Sequence, residues 1–268
     1  MSKKLHIDTI CVQAGYNPGK GEPRQVPIIQ STTFKYETSE QMGKLFDLEE
    51  SGYFYTRLQN PTNDHTAAQI AAMEGGVAAM LTSSGQAANF FACFNICQAG
   101  DHMITTTSIY GGTYNLFGVT FPKMGLEITF IDQDASDEEW EKAFRPNTKL
   151  VFGETLSNPN VRILDIERIA NIAHLHGVPL IVDNTFPTPI NCRPFEFGAD
   201  IVTHSTTKYM DGQGVQVGGA IVDSGNFNWE QYHDKYTCLT EPDDSYHGLV
   251  YTQAFGIGAY ITNETSQI

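Results

Sequence analysis

The sequence predicts an α/β fold with a mostly parallel sheet and helices on both faces. Three observations carry this. Short apolar runs of strand length recur between residues 77 and 222. Stretches of helical period separate them. Chemically active residues, Ser84, Asn158, Asp183 and Lys208, fall at or just after the ends of those runs. In such folds ligands bind beyond the carboxyl ends of the strands.

Residues 1–60 read as an extended arm with loops, because Pro18, Pro23, Pro27 and several glycines interrupt any period. From residue 61 helix and strand alternate. Residues 63–73 are expected to be helical, capped by Asn63 or Asp64. Residues 77–82 form a strand and 86–97 an apolar helix. A strand at 102–106, a helix at 112–124 and a strand at 127–131 follow. Ser136, followed by Asp137, Glu138 and Glu139, opens the next helix with acids in its first turn. Residues 149–154 are a strand, and Asp165 caps a helix that runs to His176 and stops at Gly177. The remaining strands are 178–182, 200–203 and 218–222. Residues 254–261 open a structured element, and the chain then ends, which reads as an incomplete chain.

A length of 268 residues accommodates one large domain or two small ones. Sixteen Lys and Arg against 31 Asp and Glu give a formal charge of -15, which argues against nonspecific binding to nucleic acid or anionic membranes. No apolar run approaches the ~20 residues of a membrane span. The first residues carry positive charge without an apolar segment behind it, so no signal peptide is expected. Five scattered cysteines suggest reduced thiols and a cytoplasmic location. Cys93 and Cys97 are spaced to share a metal, but no other Cys or His completes a site, so they read as core and no metal is expected. Asn263-Glu264-Thr265 matches a glycosylation sequon, which means little without a secretory signal.

Lys208 lies in His204-Ser205-Thr206-Thr207-Lys208-Tyr209, directly after an apolar run. Upstream, Leu180-Ile181-Val182-Asp183 ends another run in an acid. A lysine amine near strand-end hydroxyls, with an aspartate on a neighbouring strand, is what pyridoxal phosphate requires. The amine forms a Schiff base with the aldehyde, the hydroxyls and backbone N–H groups hold the phosphate, and the aspartate pairs with the pyridinium nitrogen. Burial of a lone carboxylate at Asp183 is costly, and a cationic ring nitrogen would offset that cost.

Four further segments fit the same site, each with a plainer alternative. Ser84-Gly85-Gln86 joins a strand to a helix, either as an anion site or as a simple helix cap. Tyr110 follows a strand and can stack on a flat ring, or be a core or surface tyrosine. Asn158, held extended by Pro159, can turn its amide into a cleft, or merely form a turn. Tyr55 and Arg57 lie in the arm, where Arg57 can grip a phosphate in forked geometry or sit on the surface.

Together these segments resemble the Cys/Met-metabolism family of fold-type I pyridoxal-phosphate enzymes, over residues 9–261. The resemblance implies that Lys208 bears the Schiff base, Asp183 pairs with the ring nitrogen and Asn158 contacts the ring hydroxyl. It implies that Tyr110 stacks on the ring and takes part in proton transfer. Ser84, Gly85, Gln86, Ser205 and Thr207 would hold the phosphate. Tyr55 and Arg57 would complete the phosphate site of an adjacent subunit, in a homotetramer built as a dimer of dimers. The implied organisation is a subunit-contacting arm at 1–60, a large cofactor domain at 61–261 and a tail at 262–268, with the C-terminal small domain missing. Within the family, residues 217–227 and 239–243 are similar to O-acetylhomoserine sulfhydrylases, which replace acetate by sulfide or methanethiol to give homocysteine or methionine. Methionine γ-lyase and cystathionine γ-synthase share the same cofactor residues and are the alternatives. A truncated chain that binds cofactor at most is the non-enzyme alternative. The sequence departs from the family pattern at Gln213, where a histidine is usual, and it stops before the domain that supplies the arginine for the substrate carboxylate.

Overall fold

The computed structural model describes residues 5–47 and 49–267. Seven strands form one sheet: β1 (Ala78–Thr82), β2 (His102–Thr106), β3 (Glu127–Ile131), β4 (Thr148–Glu154), β5 (Leu180–Asp183), β6 (Ile201–His204) and β7 (Gly219–Asp223). Their spatial order is β1-β7-β6-β5-β4-β2-β3. Only β7 runs against its neighbours β1 and β6; the other pairs are parallel. After β2 the chain pairs first on one side, with β3, and then on the other, with β4, so loops diverge there.

Alternation along the strands divides the core between the two faces. Leu150, Phe152, Ile181, Ile201 and Ile221 pack on one side, against a helix that buries Ala88, Ala92 and Cys93. Val151, Leu180 and Val182 pack on the other, against Ile169, Ala170 and Ala173. Val202, Ala220 and Val222 complete that second side with Ile70 and Ala71. Glu154 and Asp183 share the parity of Phe152 and Ile181, which aims both acids toward the first side. Cys93 and Cys97 are buried in the core, as expected. Among the described residues no helix is long and apolar enough to cross a membrane.

Several elements differ from expectation for local reasons. Among its described residues the arm contains helices α1 (Ile7–Gln13) and α2 (Ser39–Phe46). Helix α1 is tied to its own chain: Gln69 Nε2 donates to the Cys11 carbonyl, and the His65 ring lies 2.8 Å from the Gly15 carbonyl. Helix α3 (Pro61–Glu74) begins before the predicted caps, because Asn60 Oδ1 accepts the Thr62 N–H and Pro61 is already set for the first turn. Helix α4 (Gly85–Phe94) starts one residue before the predicted 86–97 span and ends three residues short of it. The segment predicted as one helix over 112–124 divides into α5 (Gly111–Asn115), a π-helical stretch (Leu116–Thr120) and a last turn (Phe121–Lys123). Pro122 in that last turn lacks an N–H for the preceding turn, and the chain ahead of it widens. Residues 262–267, expected as a tail, are helical within Ala259–Gln267 and bury Asn263 and Glu264. Tyr260 in that helix donates to the Ala92 carbonyl at 2.8 Å and stacks on Trp229.

Phe152 is fully buried on β4 and meets Phe117 edge to face at 4.9 Å. Phe152→Ala should lower the unfolding free energy by about 3–5 kcal/mol. Urea unfolding measures this, and an unchanged midpoint would contradict the packing described.

Candidate active site

The carboxyl ends of β1, β2, β4, β5 and β6 surround a cavity of about 350 Å³. Lys208, exposed on the loop after β6, faces into it together with Asp183 at the end of β5. Ser84, Gly85 and Gln86 enter from the start of α4, Tyr110 from the loop after β2, and Asn158 from the loop after β4. Ser205 and Thr207 line it beside the lysine. These are nine of the eleven residues singled out from the sequence. Tyr55 and Arg57 are not among them. The Arg57 guanidinium lies 5.5 Å from the Tyr55 ring centre, and Arg57 lines a separate cavity of about 480 Å³. Gln213 is exposed and lies outside the cavity lining.

Glycine is required where the α4 and β6 loops meet. A Cβ on Gly85 would fall 2.4 Å from the Ser205 Cβ. This close approach sets the first turn of α4 against the lysine loop. The first N–H groups of a helix have no partner within it, so this end of α4 can receive an anion. Ser84 caps the helix by accepting the Ala87 N–H at 3.1 Å. Thr207, by contrast, turns its hydroxyl to the backbone: it donates to the Gly218 carbonyl at 3.1 Å and accepts the Gly218 N–H at 3.0 Å.

The Asp183 carboxylate is held on both oxygens. Oδ1 accepts the Thr185 N–H at 3.0 Å and the Thr185 hydroxyl, and Oδ2 accepts from Asn89 Nδ2 at 3.1 Å. Asn89 is fixed in turn by Thr113 and Thr203. The Thr185 hydroxyl also accepts the Ser205 N–H at 2.8 Å, which links the aspartate to the lysine loop. Behind the sheet, Glu74 of α3 accepts from Asn184 Nδ2 at 3.0 Å and pairs with His204 at 2.6 Å. That buried pair fixes the residue after Asp183 and the residue before Ser205.

Glu154 was not singled out from the sequence, although it carries the signal that found Asp183, an acid ending an apolar strand. It is level with Asp183 across the β4–β5 pair. Burial, and then the Asp183 charge, push its carboxyl up to about 8. Asn89 had a fainter signal, an amide within an apolar helix. Thr185 had none beyond its place after Asp183.

Residues 8–253 match the family described as Cys/Met metabolism PLP-dependent enzyme. The chain belongs to this family. It is 44% identical over 267 residues to the homocysteine/cysteine synthase of Saccharomyces cerevisiae, covering 98% of this chain and 60% of that protein. It is 43% identical to the O-acetyl-L-homoserine sulfhydrylase of Leptospira meyeri, covering 96% of this chain and 58% of that protein. The chain thus spans about 60% of the length of such relatives. A crystal structure described as an O-acetylhomoserine (thiol)-lyase from Campylobacter jejuni superposes with a TM-score of 0.88 at 34% identity, over 98% of this chain and 70% of that one. That structure holds a pyridoxyl-lysine monophosphate.

The residues present fit the cofactor this family uses. The cavity brings a lysine amine and a doubly anchored carboxylate together. A half-exposed tyrosine ring stands at its wall, and a helix start meets it on another side. Lys208 is the cavity's cationic side chain among the described residues.

Because the folded chain raises the Glu154 carboxyl from 4.5 to about 8, the stability tied to its proton is present below pH 4.5 and is lost as pH rises through about 8. Unfolding of the cofactor-free chain should therefore become easier across that window. Glu154→Gln should remove this component, measured as the difference between urea midpoints of the two chains at low and high pH. Identical pH dependence in both chains would contradict the assignment.

Proposed function

We propose that this protein exchanges the acetate of O-acetylhomoserine for sulfide or methanethiol, giving homocysteine or methionine. The observation that carries the reading is the convergence of Lys208 and Asp183 on one cavity with Tyr110 and Asn158 at its wall. The narrower substrate choice is supported by relatives named homocysteine synthase and O-acetyl-L-homoserine sulfhydrylase at 41–44% identity.

Pyridoxal phosphate, when bound, supplies an aldehyde for attachment to an amine and a ring that accepts electrons. Lys208 would hold the cofactor through its amine. Once displaced by the substrate amine, Lys208 is free to move protons at the substrate α and β carbons. Asp183 would keep a proton on the pyridine nitrogen. Thr185 and Asn89 fix its carboxylate for this by occupying both oxygens from the protein side. Tyr110 would cover the ring and assist proton transfer, and Asn158 would donate to the ring hydroxyl. The start of α4 at Gly85 and Gln86, with Ser84 and Ser205, would receive the phosphate. Thr207 joins them if its hydroxyl leaves Gly218. Acetate departs from the γ carbon and the thiol takes its place, so the exchange is redox-neutral.

Arg57 and Tyr55 lie away from this cavity, which is consistent with their serving a neighbouring subunit's phosphate. We place them there, in a dimer of dimers within the cytoplasm.

Purified protein should show a visible absorbance band with pyridoxal phosphate that Lys208→Ala abolishes; a normal band in the variant would sink the lysine assignment. With O-acetylhomoserine and sulfide, homocysteine should accumulate. Formation of α-ketobutyrate and ammonia regardless of sulfide would identify a lyase instead. A band without turnover would leave a cofactor-binding chain and contradict the exchange reaction.

A further inference from the structure

We propose that Glu154 is a positioning residue for the cofactor site, its carboxylate fixing the Tyr110 and Asn158 turns relative to each other. The proposal rests on the pyridoxal-phosphate reading of the cavity. One oxygen, Oε1, accepts the Tyr110 N–H at 2.6 Å, and the other, Oε2, accepts the Asn158 N–H at 3.2 Å. The two donors come from different loops, after β2 and after β4. Both belong to residues whose side chains line the cavity.

The choice of residue is informative. Glu154 is 5% exposed, and a buried carboxylate is costly unless strongly hydrogen-bonded. An amide side chain has a single acceptor oxygen, whereas a carboxylate accepts on both arms. Only the acid can hold two backbone N–H groups at opposite ends of one rigid plane. Glu154 is not required to orient Asp183, which has Thr185 and Asn89 as its own donors. The Asp183 side chain bonds Thr185 and Asn89, not the Tyr110 or Asn158 backbone. The neighbouring carboxylates therefore divide the work. Asp183 meets the ligand, and Glu154 sets the spacing of two groups that meet it from the side.

The test is titration with pyridoxal phosphate, read by the visible circular dichroism of the bound cofactor. It compares the parent chain, Glu154→Gln, Glu154→Asp, Tyr110→Ala and the double variant Glu154→Gln/Tyr110→Ala, each first checked for native far-ultraviolet dichroism. Glu154→Gln should weaken binding about tenfold and diminish the visible dichroism, because one of the two acceptor oxygens is replaced by an NH2 donor facing an N–H donor. In the Tyr110→Ala background the same substitution should cost less, since part of what it positions is gone. Glu154→Asp keeps the carboxyl but shortens the reach, and should also weaken binding; it carries the test if the Gln variant does not fold. Parent-like affinity and dichroism in either folded variant, or full additivity with Tyr110→Ala, would overturn the proposal while leaving the cofactor reading intact. Absence of cofactor dichroism in the parent would remove both.

Discussion

Parallel pairing of β4 with β5 sets Glu154 level with Asp183, and the site is organised around these two neighbouring carboxyl groups. Glu154 is almost wholly cut off from water, and Asp183 is partly buried at the cavity wall. The protein answers with donors. Asp183 receives a backbone N–H, a hydroxyl and an amide, while Glu154 receives two backbone N–H groups. Even so, Glu154 remains a reluctant anion, raised to about 8 first by burial and then by its neighbour. A cation arriving against Asp183 would relieve that tension. The protonated ring nitrogen of pyridoxal phosphate is such a cation, so the carboxyl pair matches the charge of the proposed ligand.

The remainder of the cavity follows from the same sheet. Alternation along β4 and β5 sends both acids to the side covered by α4, whose Asn89 reaches Asp183 and whose first turn offers N–H groups to an anion. Gly85 lets that turn press against Ser205, so the anion site and the lysine loop form one wall. Glu74 and His204 work from the opposite side, tying the ends of β5 and β6 to α3. An overall charge of -15 does not by itself oppose an anionic ligand here, because the cavity presents a helix start and a lysine.

Much of this was legible in the sequence because strand-end chemistry is local. Lys208, Asp183, Tyr110 and Asn158 each follow an apolar run, and the parallel fold gathers such positions at one edge. The order of the strands was not legible, since it depends on which runs pair across long sequence separations. Glu154 went unrecognised although it too ends an apolar run, because its partners are backbone N–H groups of two loops that no motif links to it. Thr207 illustrates the converse. Its place in the hydroxyl-rich loop suggested the phosphate, but the antiparallel approach of the Gly218 segment engages its hydroxyl. In the arm, the short helix α1 was not legible because its seven residues are too few to show a period, and it is tied to Gln69 and His65 of α3.

The central claim is that Lys208 holds pyridoxal phosphate in this cavity. The most direct test is to add the cofactor, reduce with borohydride and map the pyridoxyl group by peptide mass spectrometry. The account predicts a single dominant label on Lys208. Label spread over the surface lysines, with Lys208 no more modified than Lys20 or Lys142, would contradict it.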